Sequence, residues 1–224
     1  MKLSHSIDEL IARHQTWVFD CDGVILDSNV IKTEAFYKVA SPFGAETACR
    51  LVSYHVANGG ISRFAKFEWF LREVVGGEFN HELYASLCAQ YGVQVKNALV
   101  ECEYTAGFLV LLQRLNASGI SPYVVSGGFE VELRDVFTLR KIETSFAGIF
   151  GSPRTKGQIL ADMERNRVNV SSGIFWGDAK ADHDTAEHFG MSFVFVKKYS
   201  EALPWFSTVA DRVAWVESFS DVVA

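Results

Sequence analysis

The sequence predicts an α/β fold, in which a parallel sheet with helices on both faces is interrupted after its first strand by an all-helical insertion. After residue 103, short apolar runs alternate with helical segments, as is typical of a parallel sheet covered on both faces. Residues 30–102 instead show helical periodicity almost throughout, which is too long for a simple crossover. We therefore expect a core of residues 1–28 and 104–224 and an inserted helical domain of residues 29–103.

The first elements are a short helix and a buried strand. Ile7, Leu10 and Ile11 are spaced as on one helix face, with Ser4 or Ser6 available as N-cap. The apolar run 16–19 ends abruptly in an acidic turn, which predicts a strand that stops at Asp20. Turn signals at 42–44, 58–60 and 76–77 divide the helical domain.

The remaining elements alternate. Leu109, Leu112 and Leu115 predict one helix, and Ile159 with Met163 predict another that begins near Thr155. Further strands are expected at 122–125, 147–150, 173–176 and 193–196, and a further helix at 131–139.

Composition excludes several classes of protein. The chain is 49% hydrophobic with a net charge of −6, which argues against disorder and against a nucleic-acid binder. We expect neither a membrane span nor a signal peptide, because no apolar run is long enough to span a bilayer and residues 1–14 lack an apolar segment. Cys21, Cys49, Cys88 and Cys102 form no C-x-x-C pair, so we expect reduced thiols and a cytoplasmic protein. The oligomeric state is left open.

Polar residues that can carry chemistry fall at the ends of the predicted strands. Asp20 and Asp22 follow the first strand, Ser126 the second and Asp178 a later one, while Lys156 follows the strand near residue 150. The carboxyl ends of parallel strands lie along one edge of a sheet, so these groups should converge there. Neighbouring carboxylates repel unless a cation joins them, and Mg²⁺ is the usual cation beside phosphate.

These motifs resemble the signatures of the haloacid dehalogenase superfamily in its phosphatase form. Residues 19–28, Phe-Asp-Cys-Asp-Gly-Val-Ile-Leu-Asp-Ser, are similar to the first signature, and residues 125–128 to the second. Lys156 matches the third, and residues 177–182 the fourth, in the same order. The resemblance covers nearly the whole chain. It implies a Rossmann-like core with an inserted helical cap domain.

The resemblance also implies a role for each motif residue. Asp20 would be the nucleophile that forms an aspartyl-phosphate, and Asp22 the general acid and base. Mg²⁺ would be held by the Asp20 carboxylate, the Asp22 backbone carbonyl and Asp178. Ser126, Gly127 and Lys156 would bind the phosphoryl oxygens. Asp182 would orient Lys156 or a metal-bound water without itself binding the metal or the substrate.

Simpler interpretations exist for several of these residues. An Asp after a strand is often only a turn residue or a helix cap, and Ser126 can cap the helix that follows it. Gly157 follows Lys156 where the family usually has Pro, and Lys180 or Arg154 are alternatives to Lys156. We expect Asp27 and Ser28 to cap the first helix of the inserted domain and Cys21 to pack in the core.

The segment 58–63 of the helical domain resembles the cap loop of β-phosphoglucomutases, whose matching Arg binds the distal phosphate of a sugar phosphate. Arg63 would then contact substrate. The alternative is that Arg63 faces solvent on an amphipathic helix, and nearby His55 is more simply a surface or core histidine.

The function expected from the sequence is a Mg²⁺-dependent phosphatase acting on a small phosphorylated metabolite, such as a sugar phosphate or a phosphoglycolate-like acid. A phosphomutase shares every core residue and is the first alternative. A non-catalytic module that binds Mg²⁺ and is phosphorylated on Asp20 is an alternative of another class. A dehalogenase is disfavoured, because its chemistry needs no metal while Asp22 and Asp178 imply one.

Overall fold

The computed structural model describes residues 1–223. Its sheet has six parallel strands in the order β3-β2-β1-β4-β5-β6, which is the order of a doubly wound sheet. The strands are β1 (Trp17–Phe19), β2 (Tyr123–Phe129), β3 (Gly148–Ser152), β4 (Ile174–Gly177), β5 (Ser192–Val196) and β6 (Ala214–Val216). The predicted α/β fold with a Rossmann-like parallel sheet is confirmed, and β6 is a strand that the sequence pattern did not indicate.

The helices of the core follow or precede these strands. They are α1 (Ile7–Arg13), α6 (Phe108–Ala117), α7 (Glu130–Leu139), α8 (Lys156–Arg165), α9 (Lys180–His188), α10 (Leu203–Ser207) and α11 (Ser220–Val223). Between β1 and α6, residues 29–101 form the helical unit: α2 (Asn29–Ala40), α3 (Ala45–Ala57), α4 (Arg63–Trp69), a π-helical turn (Phe70–Val75) and α5 (His81–Glu101).

Local sequence explains where the decisive helices begin. Ser6 forms a capping box with Glu9 at the start of α1, as expected. Thr155 forms another with Gln158, so α8 begins at Lys156 and holds this side chain at a helix start. In the predicted leucine helix, which is α6, Leu109 is 44% exposed while Leu111 is fully buried, so the buried face includes Leu111 rather than Leu109.

The sheet is apolar on both faces because its central strands alternate between two hydrophobic clusters. Trp17 and Phe19 of β1 pack on one side, against Phe108 and Phe219, while Val18 packs on the other side among residues of α8 and α9. This double burial fixes β1 at the centre of the sheet, and it fixes the position of the residue that follows Phe19. Among residues 1–223, no helix is long and apolar enough to cross a membrane.

Replacing Leu111 with Ala should lower the free energy of unfolding by about 2–5 kcal/mol, because it opens a cavity beneath the sheet. Replacing Leu109 on the same helix should change it by about 0.5 kcal/mol or less, because Leu109 is largely exposed. Urea denaturation of both variants measures the difference. Equal losses would show that the packing of α6 described here is wrong.

Candidate active site

Asp20 is the first residue beyond β1, and it is almost completely buried. Its backbone N–H donates to the carbonyl of Trp176 at 2.9 Å, so the extended hydrogen bonding of β1 reaches this residue. Its Oδ2 lies 3.0 Å from Nζ of Lys156, whereas its Oδ1 has no hydrogen-bond partner among residues 1–223. Burial raises the pKa of Asp20 to about 7. A buried carboxylate oxygen without a partner needs one from outside the chain.

Three carboxylates meet at this edge of the sheet. One carboxylate oxygen from each of Asp20, Asp178 and Asp182 lies within 4.8 Å of the other two. Asp178 follows β4, and Asn29 donates to it at 2.7 Å. Burial, reinforced by the charge of Asp20, raises the pKa of Asp178 well above its ordinary value. The expected convergence of strand ends therefore occurs at the switch point between β1 and β4.

Asp182 uses its oxygens within the protein. Its Oδ1 accepts from Lys156, and its Oδ2 accepts from the backbone N–H groups of Asp178 and Ala179 at 3.2 and 3.1 Å. It therefore orients both the lysine and the loop that carries Asp178. This leaves Asp20 and Asp178 as the two carboxylates of the cluster that have oxygens available to a ligand.

Gly23 makes room for Asp178. It has φ of +71°, and a Cβ at this position would overlap the Asp178 carboxylate. The turn around it is closed by the N–H groups of Ile25 and Leu26, which both donate to the carbonyl of Cys21, at 2.8 and 2.9 Å. Cys21 is itself fully buried, which agrees with the packing role expected for it. The turn brings Asp22 back toward the sheet edge.

The carboxylate of Asp22 is held by residues that sequence reasoning had not connected with it. Lys32 forms an ion pair with it, and the hydroxyl of Ser28 donates to it at 2.6 Å. Burial alone would raise the pKa of Asp22, but the charge of Lys32 and the hydrogen bonds from Lys32 and Ser28 together outweigh burial and lower it. Ser28 occupies the N-cap position of α2, as predicted, but its side chain makes no capping hydrogen bond there.

Ser126 and Lys156 approach the site from two other strand ends. Ser126 is fully buried, and its Oγ accepts from the N–H of Gly128 at 3.1 Å, so its hydroxyl proton remains available for donation. It does not cap α7, whose N-cap is Phe129. Strand β2 extends beyond the expected end at Ser126 to Phe129, with an irregular register that begins after Val125.

Of the three cations considered for the third motif, it is Lys156 that reaches Asp20. Asp20 and Asp182 raise its pKa, overcoming the opposing effect of burial. Lys180 is paired with Asp184 on the same helix, and Arg154 is paired with Glu130 and Asp162.

The helical unit lies directly against this edge of the core. Arg63 of α4 is buried, and its guanidinium lies 2.6 Å from Oε1 of Glu132 on α7. The alternative that Arg63 faces solvent is therefore wrong. A Cβ on Gly127 would lie 2.5 Å from the carbonyl oxygen of Gly60, so the glycine-rich segments of the two units are in close contact.

Between the two units lies a cavity with an empty volume of about 810 Å³, open solvent at its mouth included. Asp20, Asp22 and Asp178 line one side, and the helical unit lines the other. Lining residues that were not assigned a role from the sequence include Asn29, Lys32, Lys66 and Glu201.

The sequence contains a local signal that could have identified two of these four residues as part of the site. Asn29 and Lys32 are three residues apart at the start of the helix after β1, so they share a face that points back to the sheet edge. Lys66 and Glu201 carry no such signal, because only the packing of separate elements brings them to the cavity.

The donor set fits a hard divalent cation. Two buried carboxylates with free oxygens lie close together, one oxygen has no partner, and burial penalises their charged forms in the absence of a countercharge. Oxygen ligands of this kind suit Mg²⁺, Ca²⁺ or Mn²⁺ rather than a soft metal.

Sequence comparison now gives the class of protein. Residues 17–196 match the sequence profile of the haloacid dehalogenase-like hydrolases, and the chain belongs to this family of enzymes. No curated protein matches the chain.

Solved structures agree with the fold. A β-phosphoglucomutase from Clostridium difficile is similar, with a TM-score of 0.75 and 20% identity over 93% of each chain. A predicted phosphoglycolate phosphatase from Haemophilus somnus has a TM-score of 0.71 and 15% identity over 94% of this chain and 97% of its own. CbbY from Rhodobacter sphaeroides, solved as a variant with xylulose-(1,5)bisphosphate, has a TM-score of 0.71 and 14% identity over 93% and 96%. At these identities the likeness establishes the shared fold.

Lys66 should make stability depend on pH in a predictable direction. Burial, followed by repulsion from Lys32, lowers its pKa from 10.5 to about 7. Between these values the unfolded chain holds a proton that the folded chain lacks, so the free energy of unfolding rises with pH. The slope from this group is at most about 1.4 kcal/mol per pH unit.

Denaturation of the wild type and of Lys66→Met at pH 7, 8 and 9 tests this. The wild type should gain stability relative to the variant as pH increases. The groups that surround Lys66, namely Lys32, Asp22, Glu201 and Lys156, are present in both proteins, so their own titration largely cancels. A difference that stays constant with pH would contradict the prediction.

Proposed function

We propose that this protein is a Mg²⁺-dependent phosphatase that acts on a small phosphorylated metabolite, with Asp20 as covalent nucleophile. The observation that carries the proposal is the unpartnered Oδ1 of Asp20, buried in one cluster with Asp178 and beside Lys156. A phosphoryl group needs a nucleophile, positive charge on its oxygens and a shielded site, and this cluster offers all three.

Mg²⁺ would be held by the carboxylates of Asp20 and Asp178 and by the backbone carbonyl of Asp22. When bound, it would neutralise negative charge on the cluster and on the phosphoryl oxygens. Asp22 fits a ligand role through its backbone, because its carboxylate is engaged by Lys32 and Ser28.

The reaction would proceed in two displacements. A carboxylate oxygen of Asp20 forms a bond to phosphorus while the bond from phosphorus to the alkoxy oxygen breaks, and the leaving oxygen takes a proton from protonated Asp22. Water then attacks phosphorus, gives a proton to Asp22 and releases inorganic phosphate together with the Asp20 carboxylate. The ion pair with Lys32 favours the ionised form of Asp22, which the second displacement requires.

The phosphoryl oxygens would be bound by three groups of the core. Ser126 can donate its hydroxyl proton, Gly127 can donate its backbone N–H, and Lys156 supplies positive charge. Asp182 would act through Lys156, because it fixes the ammonium group beside Asp20.

We further propose that residues 29–103 form a mobile cap domain on a core of residues 1–28 and 104–224. The ion pair between Arg63 and Glu132 and the contact between Gly60 and Gly127 support a closed arrangement over the site. Closure would exclude bulk water and select the leaving group.

Hydrolysis of p-nitrophenyl phosphate tests the proposal. Activity should require Mg²⁺ and should vanish on chelation, since Asp20 and Asp178 repel each other without a cation. Asp20→Asn should reduce turnover by at least about 1,000-fold, because it removes the nucleophile. Asp27→Asn is the matched control, since Asp27 is exposed four residues after the turn glycine Gly23, and it should retain activity.

Absence of turnover by the wild type with Mg²⁺, across a panel of phosphorylated metabolites, would contradict an enzyme. It would favour the non-catalytic module that is phosphorylated on Asp20, which mass spectrometry after treatment with acetyl phosphate would detect.

A phosphomutase is the second candidate, and the close contact between Gly60 and Gly127 favours it, since a mutase must keep water from the phosphorylated aspartate. Incubation of sugar phosphates in ¹⁸O-labelled water separates the two. A phosphatase releases inorganic phosphate that contains ¹⁸O, whereas a mutase yields an isomeric sugar phosphate without the label.

Gly127→Ala should impair catalysis, because the added methyl group would lie 2.5 Å from the Gly60 carbonyl oxygen and would force the two units apart. We expect kcat/KM for p-nitrophenyl phosphate to fall by about 10- to 100-fold, while the melting temperature changes little. Gly157→Ala is the control, since a Cβ there meets no atom closer than 4.0 Å, although it neighbours Lys156. Full activity of Gly127→Ala would argue against a catalytic role for this contact.

A further inference from the structure

The cations that line or border the cavity differ in whether a carboxylate neutralises them. Lys32 is paired with Asp22, Arg63 with Glu132, and Lys156 with both Asp20 and Asp182. Lys66 has no carboxylate within 4.0 Å among residues 1–223, although it is only 2% exposed.

His55 is the one side chain that binds the Lys66 ammonium group in the described part of the chain. Nζ of Lys66 lies 2.6 Å from Nδ1 of His55. Because a charged lysine donates this hydrogen bond, the proton of the neutral imidazole is placed on Nε2. That Nε2 is buried and has no hydrogen-bond partner among residues 1–223, since the nearest carboxylate, Glu201, is 3.8 Å away and accepts from Thr33. An ammonium group without a carboxylate partner, whose other hydrogen bond is to the backbone carbonyl of His55 at 3.5 Å, thus lies beside an unsatisfied N–H group at the cavity wall.

An unpaired buried cation is costly, and so is an unsatisfied buried N–H group. Burial lowers the pKa of Lys66 accordingly, and it lowers the pKa of His55 as well. An anionic group placed beside them would accept hydrogen bonds from both and would supply the missing negative charge. Arg63 differs, because Glu132 already neutralises its guanidinium, even though its buried Nε has no hydrogen-bond partner among residues 1–223.

We propose that Lys66 and His55 form a subsite for a second anionic group, a carboxylate or a second phosphate, on the leaving portion of the substrate. The substrate would then be a phosphomonoester with two anionic ends, one bound beside Asp20 and the other bound by the helical unit. This inference rests on the proposed phosphatase function and specifies its substrate class.

Two matched pairs of substrates test the subsite. The first pair is 3-phosphoglycerate and glycerol 3-phosphate, which differ in a carboxylate. The second is glucose 1,6-bisphosphate and glucose 1-phosphate, which differ in a phosphate. For at least one pair, the kcat/KM of the wild type should be about 10- to 100-fold higher for the substrate that carries the second anionic group. This is the range expected for charge-assisted hydrogen bonds. The pair that shows the preference identifies the anion.

Lys66→Met should remove this preference, and kcat/KM should fall at least about 10-fold more for the preferred substrate than for p-nitrophenyl phosphate, since the latter has no second anion. Lys66→Gln serves as a second variant if the Met variant folds poorly. Lys38→Met is the matched control, because the Lys38 side chain is 61% exposed on α2, and it should change neither measurement.

Binding separates this inference from the proposed function. In Asp20→Asn, which cannot turn over substrate, isothermal titration should show tighter binding of the charged member of the preferred pair, and adding Lys66→Met should abolish the difference. This measurement decides the role of Lys66 even if the wild type hydrolyses nothing. Equal binding of both members of both pairs, or a uniform loss on all ligands in the Lys66 variants, would overturn the proposal.

Discussion

The whole site depends on the burial of acidic groups at one edge of a parallel sheet. Asp20, Asp178 and Asp182 lie within a few ångströms of one another, and each is almost inaccessible to water. Such a cluster is unfavourable by itself, because burial and mutual repulsion both penalise charge. Lys156 offsets part of this cost, and Asp182 uses its oxygens to hold Lys156 and the loop of Asp178. The remaining imbalance is the basis for proposing that this edge binds a cation and a phosphoryl group.

The fold supplies the rigidity that this arrangement requires. Strand β1 is covered by aromatic side chains on one face and by α8 and α9 on the other, so Asp20 is fixed by hydrophobic packing rather than by polar contacts of its own. Gly23 contributes through the absence of a side chain, because a Cβ there would displace the Asp178 carboxylate. Different residues thus provide stability and chemistry. Apolar residues within the strands hold the sheet together, and polar residues beyond the strand ends face the cavity.

The helical unit lines the other side of the cavity, and its charged residues differ in whether they have a countercharge. Arg63 and Glu132 neutralise each other across the two units, which suits a contact that holds them together. Lys66 is buried with no carboxylate within 4.0 Å, and the buried Nε2 of His55 has no hydrogen-bond partner in the described part of the chain, which suits recognition of a ligand. The resemblance of segment 58–63 to a β-phosphoglucomutase cap loop predicts that Arg63 binds the ligand. The distribution of countercharges instead favours Lys66.

The sequence by itself determined five of the six strands, the helical segment after the first strand and the residues at the strand ends, because hydrophobic periodicity and turn residues act over a few neighbouring positions. It therefore predicted Asp20, Asp22, Asp178 and Lys156 at one edge. Only the tertiary structure decided which partner each charged group has. Glu132 reaches Arg63, and Glu201 approaches His55, across long separations in sequence, since electrostatic pairing depends on distances in space that no local pattern encodes.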